Sequence, residues 1–210
     1  MSRDSTLEGD LPAGGARVPR RARGQLRVEA LLAAAAQVFA AKGFEAATMT
    51  EIAAQAASSI GSLYQFFPTK GALAAALIAS HVEALWQRFD EVADQAAAMS
   101  TAELGRTLAL LLVDFRSARP SYARLLEAPG VPETLVGGVR RQLRERLAAV
   151  LRRHAPGVDP ATLAAMAPVV QQAMKAGLQL HAEFADAERA AALAELQAML
   201  AGYLEARLRS

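Results

Sequence analysis

Beyond residue 24, apolar residues recur three or four positions apart in nearly every segment, the period of one helix face. No run alternates β-branched with polar residues, so the chain is expected to be all-α and to lack the sheet of doubly wound enzyme scaffolds. The spacing predicts a first helix over residues 24–41 that buries Leu31, Ala35, Val38 and Phe39 and stops at Gly43. Two short helices follow. Thr50 is read as the N-cap of the first, with Ile52 and Ala56 on one face, and Ser59 as the N-cap of the second, over residues 60–66. Leu63 and Phe67 point this second helix into a core and leave Ser62, Tyr64 and Gln65 facing outward. Pro68 ends it. Thr69 then caps a fourth helix over 69–97, with Leu73, Leu77, His81, Leu85 and Phe89 spaced by fours, long enough to join the first three helices to the rest as a lever. His81, on the inner side of that lever, is read as a satisfied or half-buried histidine.

A fifth helix is predicted over 101–118 with Leu104, Leu108, Leu111, Leu112 and Phe115 inward. Pro120 interrupts, residues 122–126 continue helically, and Pro129, Gly130 and Pro132 form a second break. The next helix, over 133–153, carries Val136, Val139, Leu143, Leu147, Val150 and Leu151 as an inner stripe, so Arg140, Arg141, Arg144, Arg146, Arg152 and Arg153 read as a solvated face. Asp159 and Pro160 open an eighth helix to about residue 184, in which Pro168 should produce a kink. Asp186 opens the last, whose stripe of Leu193, Leu196, Leu200, Tyr203, Leu204 and Leu208 is near-heptad. Ala173 and Gly177 are small enough to admit another helix. Together with Leu193, Leu196, Leu200 and Tyr203 they are the expected interface of a homodimer built as a four-helix bundle; the alternative is that both helices pack only inside one subunit.

The break between the second and third helices, Ala56-Ala57-Ser58, is short enough only for a corner, which makes residues 48–70 a helix-turn-helix. Hydroxyls and an amide on the outer side of its second helix suit contact with phosphate oxygens and base edges. Lys70, in the first turn of the fourth helix, sits badly for the helix dipole and better for a phosphate. The net charge is only +2, but residues 17–27 hold five arginines and no acid behind a Gly-, Pro- and Ser-containing start, which reads as a disordered tail with a basic arm. That arm either meets DNA or merely solubilises the chain. The absence of cysteine excludes disulfides, thiolate catalysis and cysteine zinc sites. The longest aliphatic run, residues 108–113, is too short to span a bilayer, and no signal-peptide core is apparent, so a cytoplasmic protein with no membrane partner is expected.

Residues 25–80 resemble the DNA-binding region of the TetR family of bacterial transcriptional regulators. The resemblance rests on Ala41-Lys42-Gly43-Phe44, then Ala47-Thr48-Met49-Thr50-Glu51-Ile52-Ala53, then Ser59-Ile60-Gly61-Ser62-Leu63-Tyr64-Gln65-Phe66-Phe67-Pro68-Thr69-Lys70, at fixed spacing. It implies DNA contacts at Thr50, Ser59, Gly61, Ser62, Tyr64 and Lys70, with the tyrosine and lysine on phosphates; Ile60 and Gln65, on the same short helix, complete the expected reading set. Three positions depart from the pattern: Ala57 where glycine is preferred, Ile60 where many members are basic, and Gly71 where an acid follows the lysine. An apolar Ile60 has only a thymine methyl to touch. The implied organisation is a tail over 1–23, a three-helix DNA-binding head over 24–71 and a helical effector-binding and dimerisation domain over 72–210.

No phosphate-cradling glycine loop, nucleophile elbow or HExxH is present, so no enzyme activity and no cofactor are expected. His154, His181 and Glu183 are poor metal candidates, because residues two apart on a helix diverge by about 200°. Members of the family usually hold an effector among the helices after the fourth. Phe115, Arg116, Tyr122, Met166, Gln171, Met174, Lys175 and Gln179, which mix apolar bulk with polar handles, are the candidate pocket. The expected function is a homodimeric repressor released from a palindromic double-stranded operator by a small molecule. The alternatives are a constitutive or architectural DNA-binding protein, and a helical binding or enzymatic protein whose helix-turn-helix is only packing.

Overall fold

A computed structural model describes residues 20–127 and 133–208, and every regular element among them is a helix. In chain order these are α1 (Arg20–Ala46), α2 (Met49–Gln55), α3 (Ile60–Phe66), α4 (Lys70–Gln95), α5 (Thr101–Ser117), α6 (Pro120–Glu127), α7 (Glu133–His154), α8 (Pro160–Glu183) and α9 (Asp186–Leu208). The expected break at residues 129–132 and most of the expected tail lie outside the described residues. Helix α1 begins at Arg20, before the expected residue 24, so Arg23 and Arg27 stand on a helix and not on a loose arm.

The local chemistry explains the boundaries. Gly43 takes φ 78°, a left-handed conformation that glycine adopts without a Cβ penalty, and turns the end of α1. Helix α2 is capped by Thr48 and not by Thr50: the Thr48 side chain accepts from the Glu51 amide and the Glu51 carboxylate accepts from the Thr48 amide, a complete capping box. Thr50 is an exposed residue of the first turn. Ser59, Thr69, Ser100 and Asp159 cap α3, α4, α5 and α8 through their side-chain oxygens. Helix α8 runs on through Pro168 as one element.

Two regions share one continuous core. In the head, Leu31, Phe39, Ile52, Leu63 and Leu73 are fully buried where α1 and α4 close over the α2–α3 corner. In the larger region α5 packs along α9 and α8, and α7 lies between α8 and α4. Gly105 and Gly177 set these distances. A Cβ on Gly105 would sit 2.6 Å from the Cα of Ala201 in α9, and one on Gly177 would sit 3.1 Å from the Ala109 carbonyl oxygen of α5 and 3.1 Å from Leu196. The arginines of α7 are not simply a solvated face: Arg146 pairs with Asp90 and Arg153 with Asp94, and the Arg146 guanidinium lies 5.0 Å from the Trp86 ring, so α7 is stapled to the outer half of α4.

Candidate DNA-binding interface and regulatory core

The helix-turn-helix is built around a corner whose centre, Ala57, has φ 47°. An L-residue there carries roughly 1–2 kcal/mol of steric cost, which explains the preference for glycine at this place. The corner holds because backbone amides of Ala56, Ala57 and Ser58 bond back to Ile52, Ala54 and Ala53. Beyond it, Leu63 and Phe67 are buried and Ile60, Gly61, Tyr64 and Gln65 are exposed on one side of α3. Ser59 and Ser62 are engaged inside the head: the Ser59 hydroxyl accepts from the Ser62 amide at 3.2 Å, and the Ser62 hydroxyl accepts from Arg27 at 3.1 Å. Arg27 therefore brings a cation from α1 to α3, a contact that spacing along the chain gave no means of finding.

Gly61 has no structural need to be glycine. Its φ is not left-handed, and an added Cβ would meet nothing within 4 Å. Glycine in a helix costs roughly 1 kcal/mol relative to alanine, so the position gives up helix stability where the backbone faces outward.

Lys70 occupies a different place from the one expected of a free phosphate ligand. Its ammonium donates to the carbonyls of Glu45 at 2.9 Å and Ala47 at 3.0 Å and lies 4.7 Å from the Phe44 ring centroid. Arg124 of α6 donates to the Ala41 carbonyl at 3.1 Å. Two cations from α4 and α6 thus bond carbonyls within and just beyond the last turns of α1, where the helix dipole favours positive charge. At the same end Lys42 pairs with Glu51, and this bond, followed by those from Thr48, holds the Glu51 carboxyl below its ordinary range. The head is consequently tied to the larger region through both α4 and α6.

The eight predicted pocket residues differ in placement. Phe115, Tyr122, Met166, Gln171 and Met174 are buried, but Gln171 is committed to α7, donating to the Arg140 carbonyl at 3.0 Å and accepting from Arg144 at 3.4 Å. Arg116 and Lys175 are half-buried, and Gln179 is exposed on α8. A cleft of about 530 Å³ lies between α4 and α5. Its α4 wall is Ala84, Gln87, Arg88 and Glu91; its α5 wall includes Arg106, Leu110, Leu111, Asp114 and Phe115, with Arg119 and Gln197 at the edges. Only Phe115 belongs to both sets. Arg119 stacks over the Phe115 ring at 4.2 Å, and Phe115 meets Tyr122 edge-on at 5.7 Å between centroids.

Beside this cleft, His81 joins α4 to α6. Its Nε2 is 3.0 Å from the Ser121 hydroxyl and its ring is 5.4 Å from that of Tyr122. Burial, and then the charge of Arg119, push the His81 pKa below its ordinary 6.5, while burial pushes the Tyr122 phenol up. His154 is held by the Ala96 carbonyl and the Thr101 hydroxyl, far along the chain from His181, which approaches Ser117. Among the described residues no cluster of three His, Cys, Asp or Glu side chains is arranged to hold a metal ion, and no helix is long and apolar enough to cross a membrane.

The expected dimer residues divide. Leu196 and Leu200 are 6% and 1% exposed and, with Gly177, are spent inside the subunit against α5 and α8. Ala173, Leu193 and Tyr203 are only half-buried, and Val169 on α8 and Met199 on α9 are 50% and 57% exposed. The six exposed large apolar side chains of the described residues fall in two places: Leu26, Ile60, Tyr64 and Phe66 on the head, and Val169 and Met199 on the α8–α9 pair.

Comparison with known proteins agrees with this layout. Residues 31–77 match the family described as "Bacterial regulatory proteins, tetR family", and residues 100–204 match "Tetracyclin repressor-like, C-terminal domain". Among curated proteins none matches. Of solved structures, a TetR-like transcriptional regulator from a Rhodococcus species is 26% identical, with a TM-score of 0.56 over 90% of this chain and 99% of its own. A TetR transcription regulator from Haloarcula marismortui superposes with a TM-score of 0.61 at 19% identity, over 88% of this chain and 100% of its own. A regulator of the TerR/AcrR family from Aquifex aeolicus gives 0.59 at 19% identity, over 85% and 98%. The helix-turn-helix head with the start of α4, and the helical region that begins with α5, are thus matched in sequence, and the chain belongs to the TetR family of bacterial transcriptional regulators.

Proposed function

We propose that the chain acts as a homodimeric repressor that binds an inverted-repeat operator and loses affinity for it when a small molecule enters the α4–α5 cleft. The observation that carries this reading is the continuity of α4, which begins at Lys70 beside α3 and forms a cleft wall from Ala84 to Glu91. A guest wedged against that wall has to displace α4 relative to α5. The head follows, because Lys70 and Arg124 anchor α1 to α4 and α6. Only a guest that binds the displaced arrangement more tightly can shift the equilibrium, and DNA must then weaken that guest by the same factor.

The cleft lining defines the guest: an apolar body on Leu110, Leu111 and Phe115, with polar ends facing Arg88, Arg106, Asp114 and Arg119. DNA contact is assigned to Ile60, Gly61, Tyr64 and Gln65 from their exposure, and to Thr50, whose side of α2 is open. Lys70 has one ammonium N–H beyond its two carbonyl partners, enough for one phosphate oxygen. Dimerisation is assigned to the half-buried and exposed apolar positions of α8 and α9, namely Val169, Ala173, Leu193, Met199 and Tyr203.

The test is a gel shift with DNA upstream of the protein's own gene, followed by addition of amphipathic compounds. Retarded DNA released by a compound, with release abolished in Leu111→Trp, which fills the cleft, is the expected result. Binding that no compound relieves would favour a constitutive DNA-binding protein, and no retardation would remove the DNA role.

A further inference from the structure

We infer that Ile60 reads the 5-methyl group of a thymine in each operator half-site, giving this chain an apolar base contact at the centre of its reading surface. The inference rests on the DNA-binding reading above. Helix α3, IGSLYQF, contains no charged side chain. The hydroxyls of its N-cap Ser59 and of Ser62 each accept one bond inside the head, from the Ser62 amide and from Arg27, and keep an O–H suited to an oxygen acceptor. The apolar surface on the outer side is the Ile60 alkyl group and the Tyr64 ring, beside the Gln65 amide and a glycine that its own subunit does not require.

Ile60 is 40% exposed, while the stripe that packs α3 into the head is Leu63 and Phe67. A β-branched residue loses χ1 freedom in a helix and slightly lowers its propensity, so Ile60 does not serve the stability of α3. Its exposed alkyl group and the open backbone at Gly61 together fit a surface that approaches closely and carries an apolar group. Arg27, bonded to Ser62 from α1, puts positive charge beside that surface and favours an anionic partner over another protein. In the major groove the apolar group is the thymine methyl.

The probe is a duplex selected by the wild-type protein from randomised DNA, in which each thymine is replaced in turn by uracil. That exchange removes the methyl and keeps the O4 acceptor. One thymine per half-site should prove sensitive, with affinity falling about fourfold for one replacement and about fifteenfold for both, the equivalent of burying one methyl each time. Ile60→Ala should bind methylated and demethylated duplexes equally, and Ile60→Val should keep most of the discrimination. The inference is overturned if no thymine replacement weakens the wild-type protein, or if the penalty persists in Ile60→Ala. If no duplex is selected at all, the DNA-binding reading fails and this inference with it.

Discussion

Gly105→Ala tests how tightly α5 and α9 are fitted, because the clash it creates lies entirely with backbone. The new Cβ would stand 2.6 Å from Ala201 Cα, 2.8 Å from Ala201 N and 3.1 Å from the Leu200 carbonyl carbon. Carbon atoms pack at about 3.5–4.0 Å, so α9 has to retreat by roughly 1 Å. No side chain can rotate aside to absorb this. The retreat loosens Leu104, Leu108, Leu200 and Leu204, none of which is more than 1% exposed. Overpacking of this kind costs about 3 kcal/mol, at the upper end of its usual range, and the better helix propensity of alanine returns about 1 kcal/mol. The net loss is about 2 kcal/mol, or roughly 4–8 °C in Tm for a chain of this size. Gly202, one residue beyond Ala201 and exposed, supplies the control: an added Cβ there meets nothing within 4 Å, so Gly202→Ala should gain up to about 1 kcal/mol. Urea titration of both variants, followed by circular dichroism, measures the contrast. Equal midpoints for the two would refute the close crossing of α5 and α9.

Protonation of His81 is opposed by burial and by Arg119, so the unfolded chain binds that proton more readily. The contribution is complete above pH 6.5 and declines as pH falls towards the depressed native value; His81→Gln should flatten stability against pH in that window in thermal melts. Met199→Asp or Val169→Asp should give a folded monomer in sedimentation, whereas Leu196→Asp should unfold the chain because Leu196 is buried within it. Lys70→Ala should lower both the melting temperature and, by about one counterion, the salt slope of DNA binding; a salt slope unchanged beside a lowered Tm would assign the residue wholly to α1.

The helical period revealed the helices because each has one buried stripe, and Leu63, Phe67, Leu104 and Leu108 could be placed by it alone. A stripe does not say what covers it. Leu196 and Leu200 have the same near-heptad spacing whether their partner is a second copy or α5, and the chain uses α5. The Thr48–Glu51 capping box was present as T-x-x-E, and Thr50 competed with it as a plausible cap two residues on. The cleft was not legible because it depends on how far α4 and α5 diverge. The pairs Arg146–Asp90 and Arg153–Asp94 and the Lys70 bonds join residues far apart in sequence, beyond any local pattern. In the head, the period placed Leu63 and Phe67 inward and Tyr64 and Gln65 outward, but gave no sign of the engagement of Ser62 by Arg27.

The proposed repressor grips one duplex with two heads in a two-fold arrangement. Mass and affinity of the complex, measured on a duplex with two inverted half-sites and on the same duplex with one half-site reversed, decide this. Two chains per inverted repeat, with affinity lost on the direct repeat, is the predicted result. Equal affinity for both arrangements, or one chain per duplex, would contradict it.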